Sequence, residues 1–199
     1  MRNRNSDRDG PRAVREPVRW RAPPAVSRPH LLAGGSDRTC RRLIYNLLAL
    51  ADHLDTCRNI VARKFGVSGP QYSVLMAIAR HDDGEGVSAD TIARVLNVSP
   101  AFITVETGRL IEMGLIAKRR DDGDRRRVSL QVSAEGRVLI DRYAPLVRLM
   151  NDTLLGRLDT EEFAALAATV EKLVDTSTRT ASFLGQWATD EPVAKSAAL

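Results

Sequence analysis

Apolar residues recur along this chain at the spacing of helices. Leu43, Leu47, Leu50, Leu54, Cys57 and Val61 follow at intervals of 4, 3, 4, 3 and 4, which lays a seam down one side of a helix from Asp37 to about Lys64. Ile44, Leu48, Ala51 and Ile60 widen that face, so the helix is expected to meet more than one neighbour before Gly66 ends it. Ser68-Gly69-Pro70 is a helix start, and Tyr72, Leu75, Met76, Ile78 and Ala79 form its buried face. The turn from His81 to Gly86 closes it. Ser88 can cap a short helix from Ala89 to Leu96, and Asn97 suits the left-handed conformation at its end. Ser99 and Pro100 open the next helix at once. It runs to Met113, with Ile103 and Leu110 on the core side and Gly114 as its stop.

The period then changes. Residues 115–120 and 127–132 can pair as a hairpin around Asp122-Gly123, with Val128, Leu130 and Val132 alternating against Ser129 and Gln131. Ser133 begins another long helix through Val138, Tyr143, Val147 and Leu154, which Pro145 can bend. Asp159-Thr160-Glu161-Glu162 caps a last one through Phe163, Leu166, Val170 and Leu173. Beyond about Thr180 the periodicity fades. The expected fold is mainly α with a small β-wing: a winged helix-turn-helix lobe (68–132) with a helical dimerisation arm (37–65 and 133–180). A disordered basic tail (1–36) is expected before it and a short tail (181–199) after it.

Charge alters this picture at one place. The net charge is +5, but residues 1–36 hold eight arginines against Asp7, Asp9 and Glu16, which already makes +5. The high isoelectric point therefore belongs to the tail, and any case for nucleic-acid binding by the folded part must come from local pattern. No apolar run is long enough to span a bilayer and no secretory apolar stretch follows the first residues, so a cytoplasmic protein with no membrane partner is expected. Cys40 and Cys57 lie too far apart on one helix to bond to each other. Three scattered histidines, no phosphate-cradling glycine loop, no metal-type spacing and no nucleophile turn leave no basis for an enzyme, a metal or a cofactor.

Four segments carry a resemblance: Gly69-Pro-Gln-Tyr-Ser-Val-Leu, Val87-Ser-Ala-Asp-Thr-Ile-Ala-Arg-Val-Leu-Asn-Val-Ser, Leu110-Ile-Glu-Met-Gly-Leu-Ile, and Asp124-Arg-Arg followed by Val132-Ser-Ala-Glu-Gly. In this order, over about residues 38–178, they resemble the MarR family of winged-helix transcription factors. The resemblance implies a homodimer that binds a pseudo-palindromic double-stranded DNA operator, commonly a repressor released by a small aromatic or acyl anion. It puts Ser99, Ala101, Thr104, Thr107 and Arg109 of the recognition helix, and Lys118, Arg125, Arg126 and Arg127 of the wing, against DNA. Asp124 would orient Arg126 into the minor groove. Tyr45, His53, Arg58, Tyr72 and Met76 lie on the elements that would line an effector cleft. Phe102, Val105 and Glu106 depart from the family's habit, and Glu106 near a core-facing position needs a partner, such as a wing or tail arginine. Two alternatives stand beside this reading: a thiol-based redox sensor using Cys40 or Cys57, and a winged-helix adaptor for protein contacts.

Overall fold

The computed structural model of the chain describes Trp20, residues 22–120 and residues 128–190. Its helices are α1 (Arg38–Lys64), α2 (Gly69–His81), α3 (Ala89–Leu96), α4 (Pro100–Glu112), α5 (Ala134–Leu155) and α6 (Thr160–Asp190), with strands β1 (Ile116–Arg120) and β2 (Val128–Val132) between α4 and α5. The chain divides into two compact units that part between His53 and Leu54, within α1.

In the first unit the segment before α1 is organised around one carboxylate. Asp37, itself buried, accepts the amide of Ala25 at 2.7 Å and the guanidinium of Arg41 at 2.6 Å. A 3-10 turn at Pro29–Leu31 and a bridge between Ala33 and Ser36 fill the loop so closed. Disorder was expected through residue 36, and the described part of that stretch departs from it. Its proline content argued against a core, and what holds it here is the Ala25 amide on Asp37 together with backbone turn bonds from Arg28 to Ser36. The α1 seam is bare in this unit, for Leu43, Ile44, Leu48 and Leu50 are all exposed.

The second unit holds the core. Leu75, Ile78, Ile92, Ile103, Leu110 and Val74 are its largest fully buried side chains. Each contributes about 1.5–3 kcal/mol relative to an exposed position. The edge of the Phe65 ring meets Tyr72, and Tyr143 of α5 tilts against the same ring, both with centroids 5.1 Å apart. β1 and β2 pair antiparallel from Ile116↔Val132 to Arg120↔Val128, and Val87 adds a short third edge by exchanging both backbone bonds with Leu130. Gly86 enters that edge at a φ of 82°, where a Cβ would press on Ser129.

Serine begins four of these helices. Ser68, Ser88, Ser99 and Ser133 accept the amides of Gln71, Thr91, Phe102 and Gly136, and Gln71 completes a capping box at the first. Ser133 also donates to the Gly114 carbonyl at 2.6 Å, and its amide bonds Leu115. Gly136 follows because any Cβ there would collide with the Leu115 carbonyl. The start of α5 is thus fastened to the end of α4 and the base of the hairpin.

α6 is longer than the pattern indicated, remaining helical to Asp190 where loss of helix was expected near Thr180. Fading apolar spacing removes a reason to pack but not a reason to be helical. Ala181, Leu184, Gln186 and Ala188 are good helix formers, and no proline intervenes before Pro192. Among the described residues no helix is long and apolar enough to cross a membrane.

Candidate nucleic-acid interface

α3, the turn Asn97-Val98-Ser99 and α4 form a helix-turn-helix by local chemistry. Asn97 takes φ 53°, ψ 48°, and its amide returns to the Ala93 and Arg94 carbonyls, which ends α3. Two residues on, the Ser99 hydroxyl accepts the Phe102 amide at 3.2 Å and Pro100 occupies the first turn of α4. Ile92, Ile103 and Leu110, all fully buried, hold the pair rigid.

The burial pattern fixes which side of α4 is free. Ile103, Glu106, Thr107 and Leu110 face inward, whereas Ala101, Thr104, Val105 and Arg109 are exposed. Of the residues expected against DNA, Ser99, Ala101, Thr104 and Arg109 therefore lie on accessible surface, and Thr107 does not. Thr107 is a correction: at 4% exposure its hydroxyl donates to the Ile103 carbonyl at 2.7 Å, so its polar group is satisfied within its own helix. Thr104 also turns its hydroxyl back, onto Pro100 at 3.1 Å.

Glu106 finds its partner close by. Arg109 Nη1 donates to its two carboxylate oxygens at 3.1 and 3.4 Å, with the Glu106 side chain 8% and the Arg109 side chain 56% exposed. Among the described residues the partner is the arginine one turn on. Spacing of three on a helix was the signal that could have revealed it. Arg109 is thus partly committed to the fold.

Between α4 and the hairpin lies a groove of about 550 Å³ lined by Ala89, Thr104, Thr107, Lys118, Val128 and Leu130. It brings Thr104 and Lys118 to one surface. Arg119, beside Lys118, is drawn away from it toward Glu85, at 3.4 Å, and the Gly84 carbonyl. Asp124, Arg125, Arg126 and Arg127 lie outside the described residues.

Of the five residues named for an effector cleft, two lie in the first unit and three in the second. Tyr45 and His53, in the first unit, are exposed on α1. In the second unit Tyr72 is a core residue at 8% exposure, and burial pushes its phenol pKa up, against an opposing pull from Arg80. Met76 packs against the same core. Arg58 is ion-paired with Asp55. A cavity of about 420 Å³ opens elsewhere in this unit, with Ala79, Val132 and Ile140 as apolar walls and Asp82, Arg137 and Asp141 as charged ones. Cys40 and Cys57, both on α1, are half-buried and unbonded.

Comparison with known proteins agrees with this geometry. Residues 65–127 match the MarR family. The transcriptional regulator HosA of Escherichia coli O157:H7 is 28% identical over 107 residues, covering 54% of this chain and 77% of HosA. Among solved structures, the Staphylococcus aureus MepR–DNA complex superposes with a TM-score of 0.59 at 19% identity, over 66% of this chain and 94% of MepR. CouR of Rhodococcus jostii RHA1, bound to p-coumaroyl-CoA, gives 0.58 at 22% identity, over 66% and 91%.

Proposed function

We propose that this chain, whose residues 65–127 match the MarR family, is a winged helix-turn-helix transcriptional regulator that acts as a homodimer on a pseudo-palindromic operator and represses until a small anion releases it. The observation that carries the DNA part is α4 itself, a helix fixed by Ile103 and Leu110 on one side and shallow on the other. Its capped N-terminus suits a phosphate. The groove with Lys118 adds a cation beside it, and the wing arginines Arg125, Arg126 and Arg127, with Asp124 to orient Arg126, would supply the minor-groove contact.

Dimerisation is supported by apolar surface that a lone chain leaves in water. α1 exposes Leu43, Ile44, Leu48, Leu50 and Leu54, and α6 exposes Phe163, Leu166, Val170, Leu173 and Val174. Faces of this kind mark association surfaces. A twofold axis would set two recognition helices about one turn of duplex apart, ~34–36 Å. Release by an aromatic or acyl anion is the finer part of the reading. The cavity walled by Ala79, Val132 and Ile140 offers apolar walls for a ring or chain and Arg137 for a carboxylate, but Asp82 and Asp141 in the same wall oppose an anion, so the anion part of the reading rests on the family resemblance.

The test is a gel shift with the full chain on duplexes recovered by selection from random sequence. A sequence-specific shift that falls steeply with salt, and that weakens on all duplexes when Arg126 is made alanine, is expected. A protein-interaction adaptor would give neither.

A further inference from the structure

Before its last turn, where Glu112 is an exposed acceptor, the outer side of α4 offers the bases few free hydrogen-bond donors. Its one cation, Arg109, is held at Nη1 by the buried Glu106. The Thr104 hydroxyl gives its proton to the Pro100 carbonyl, which leaves its methyl and its acceptor lone pairs, but no donor, for a base. Ala101 brings only a methyl. Between them stands Val105, 51% exposed and the largest apolar group of that arc.

Gly108, one turn beyond Val105, adds an independent observation. It sits within α4 without a left-handed backbone, and a Cβ built there would meet nothing within 4 Å. Neither conformation nor internal packing calls for glycine, and glycine costs a helix interior about 1 kcal/mol relative to alanine. What the missing side chain provides is clearance on the outer surface, beside Val105, for something that approaches from outside the chain.

We infer that Val105 is a specificity-determining residue: its methyl groups pack on the C5-methyl of a thymine in the major groove of each half-site, while Ala101 and Gly108 leave room for the base edges to come close. The inference rests on the DNA reading above and adds the base chemistry that α4 selects. Thymine is the one base that presents a methyl group in that groove. Cytosine in its place would bring an exocyclic amine against valine, where it loses water and gains no acceptor.

The experiment uses the full-length protein and its selected duplex, with each thymine replaced singly by uracil, which deletes the C5-methyl and nothing else. At one fixed position per half-site the replacement should weaken binding about fourfold, the scale of one buried methyl. Val105→Ala should bind thymine and uracil duplexes alike, Val105→Ile should keep the preference, and both should melt with the parent, since the site is exposed. The proposal is overturned if no single uracil weakens binding by more than about twofold, or if Val105→Ala keeps the parental ratio. Failure of selection to enrich any sequence would instead overturn the DNA reading itself, so the two failures are separable.

Discussion

A carboxylate sunk in the middle of α4 survives there because Arg109 lies one turn away. Deleting the arginine strands a desolvated charge, whereas replacing both removes the conflict. Arg109→Ala should therefore cost about 1–2 kcal/mol, less than a fully buried pair because the guanidinium is half in water. The double variant Glu106→Gln with Arg109→Ala should recover much of that loss in thermal melts, and strictly additive losses would refute the coupling. This pair and Thr107 also mark where the sequence misleads. Thr107 is read as outward-facing and Glu106 as needing a distant arginine, yet both are satisfied within their own helix, one by the Ile103 carbonyl and one by Arg109. Polarity tells what a group needs, not where it finds it. Asp37 gives a second residue-scale test. The Ala25 amide first, and Arg41 after it, hold its carboxyl below the ordinary value of 3.8. A depressed folded value means that the clasp's stabilisation is full above 3.8 and fades as pH falls through the lower, folded value. Limited acid proteolysis should then cut residues 22–36 increasingly as pH drops below about 4, while Asp37→Asn should be cut readily at every pH.

Helix starts were the most legible feature of the chain. Ser68, Ser88, Ser99 and Ser133 could each be identified from their sequence neighbourhood, and all four cap, because capping is settled within four residues and needs no distant partner. Ser99→Ala should accordingly cost about 1 kcal/mol of stability, measured by urea denaturation, with a larger proportional loss of DNA affinity if the same cap also presents amides to a phosphate. The end of α6 was not legible, since nothing but chain composition governs a helix that touches little. Gly136 lies between these cases. Its place in Ser-Ala-Glu-Gly was visible in the sequence, but the reason, the carbonyl of Leu115 against its α-carbon, belongs to the packed state. Gly136→Ala should destabilise by about 1–3 kcal/mol and should disturb the hairpin before it disturbs α2, as amide exchange at Ile116 and Val132 against Val74 and Ile78 would register.

For the molecule as a whole, the sequence pattern located the lobe and the helices around it, but one chain's seam cannot say what covers it. α6, and α1 as far as Leu54, carry the same apolar spacing as a buried helix and yet stand open. Replacing Leu166 and Leu173 together by glutamate should leave the melting of the lobe nearly intact, convert the protein to a monomer in sedimentation, and weaken operator binding at least tenfold through loss of the second half-site. A variant that stays dimeric would place the association surface elsewhere.

The bare face of α6 also bears on how such a protein would meter itself in a cell. If its occupancy of a promoter requires two chains to find each other first, then at scarce supply the occupied fraction rises with nearly the square of the amount synthesised. Halving gene dosage would then cost far more than half of the control, and a modest rise in synthesis would switch it on sharply, with no ligand involved.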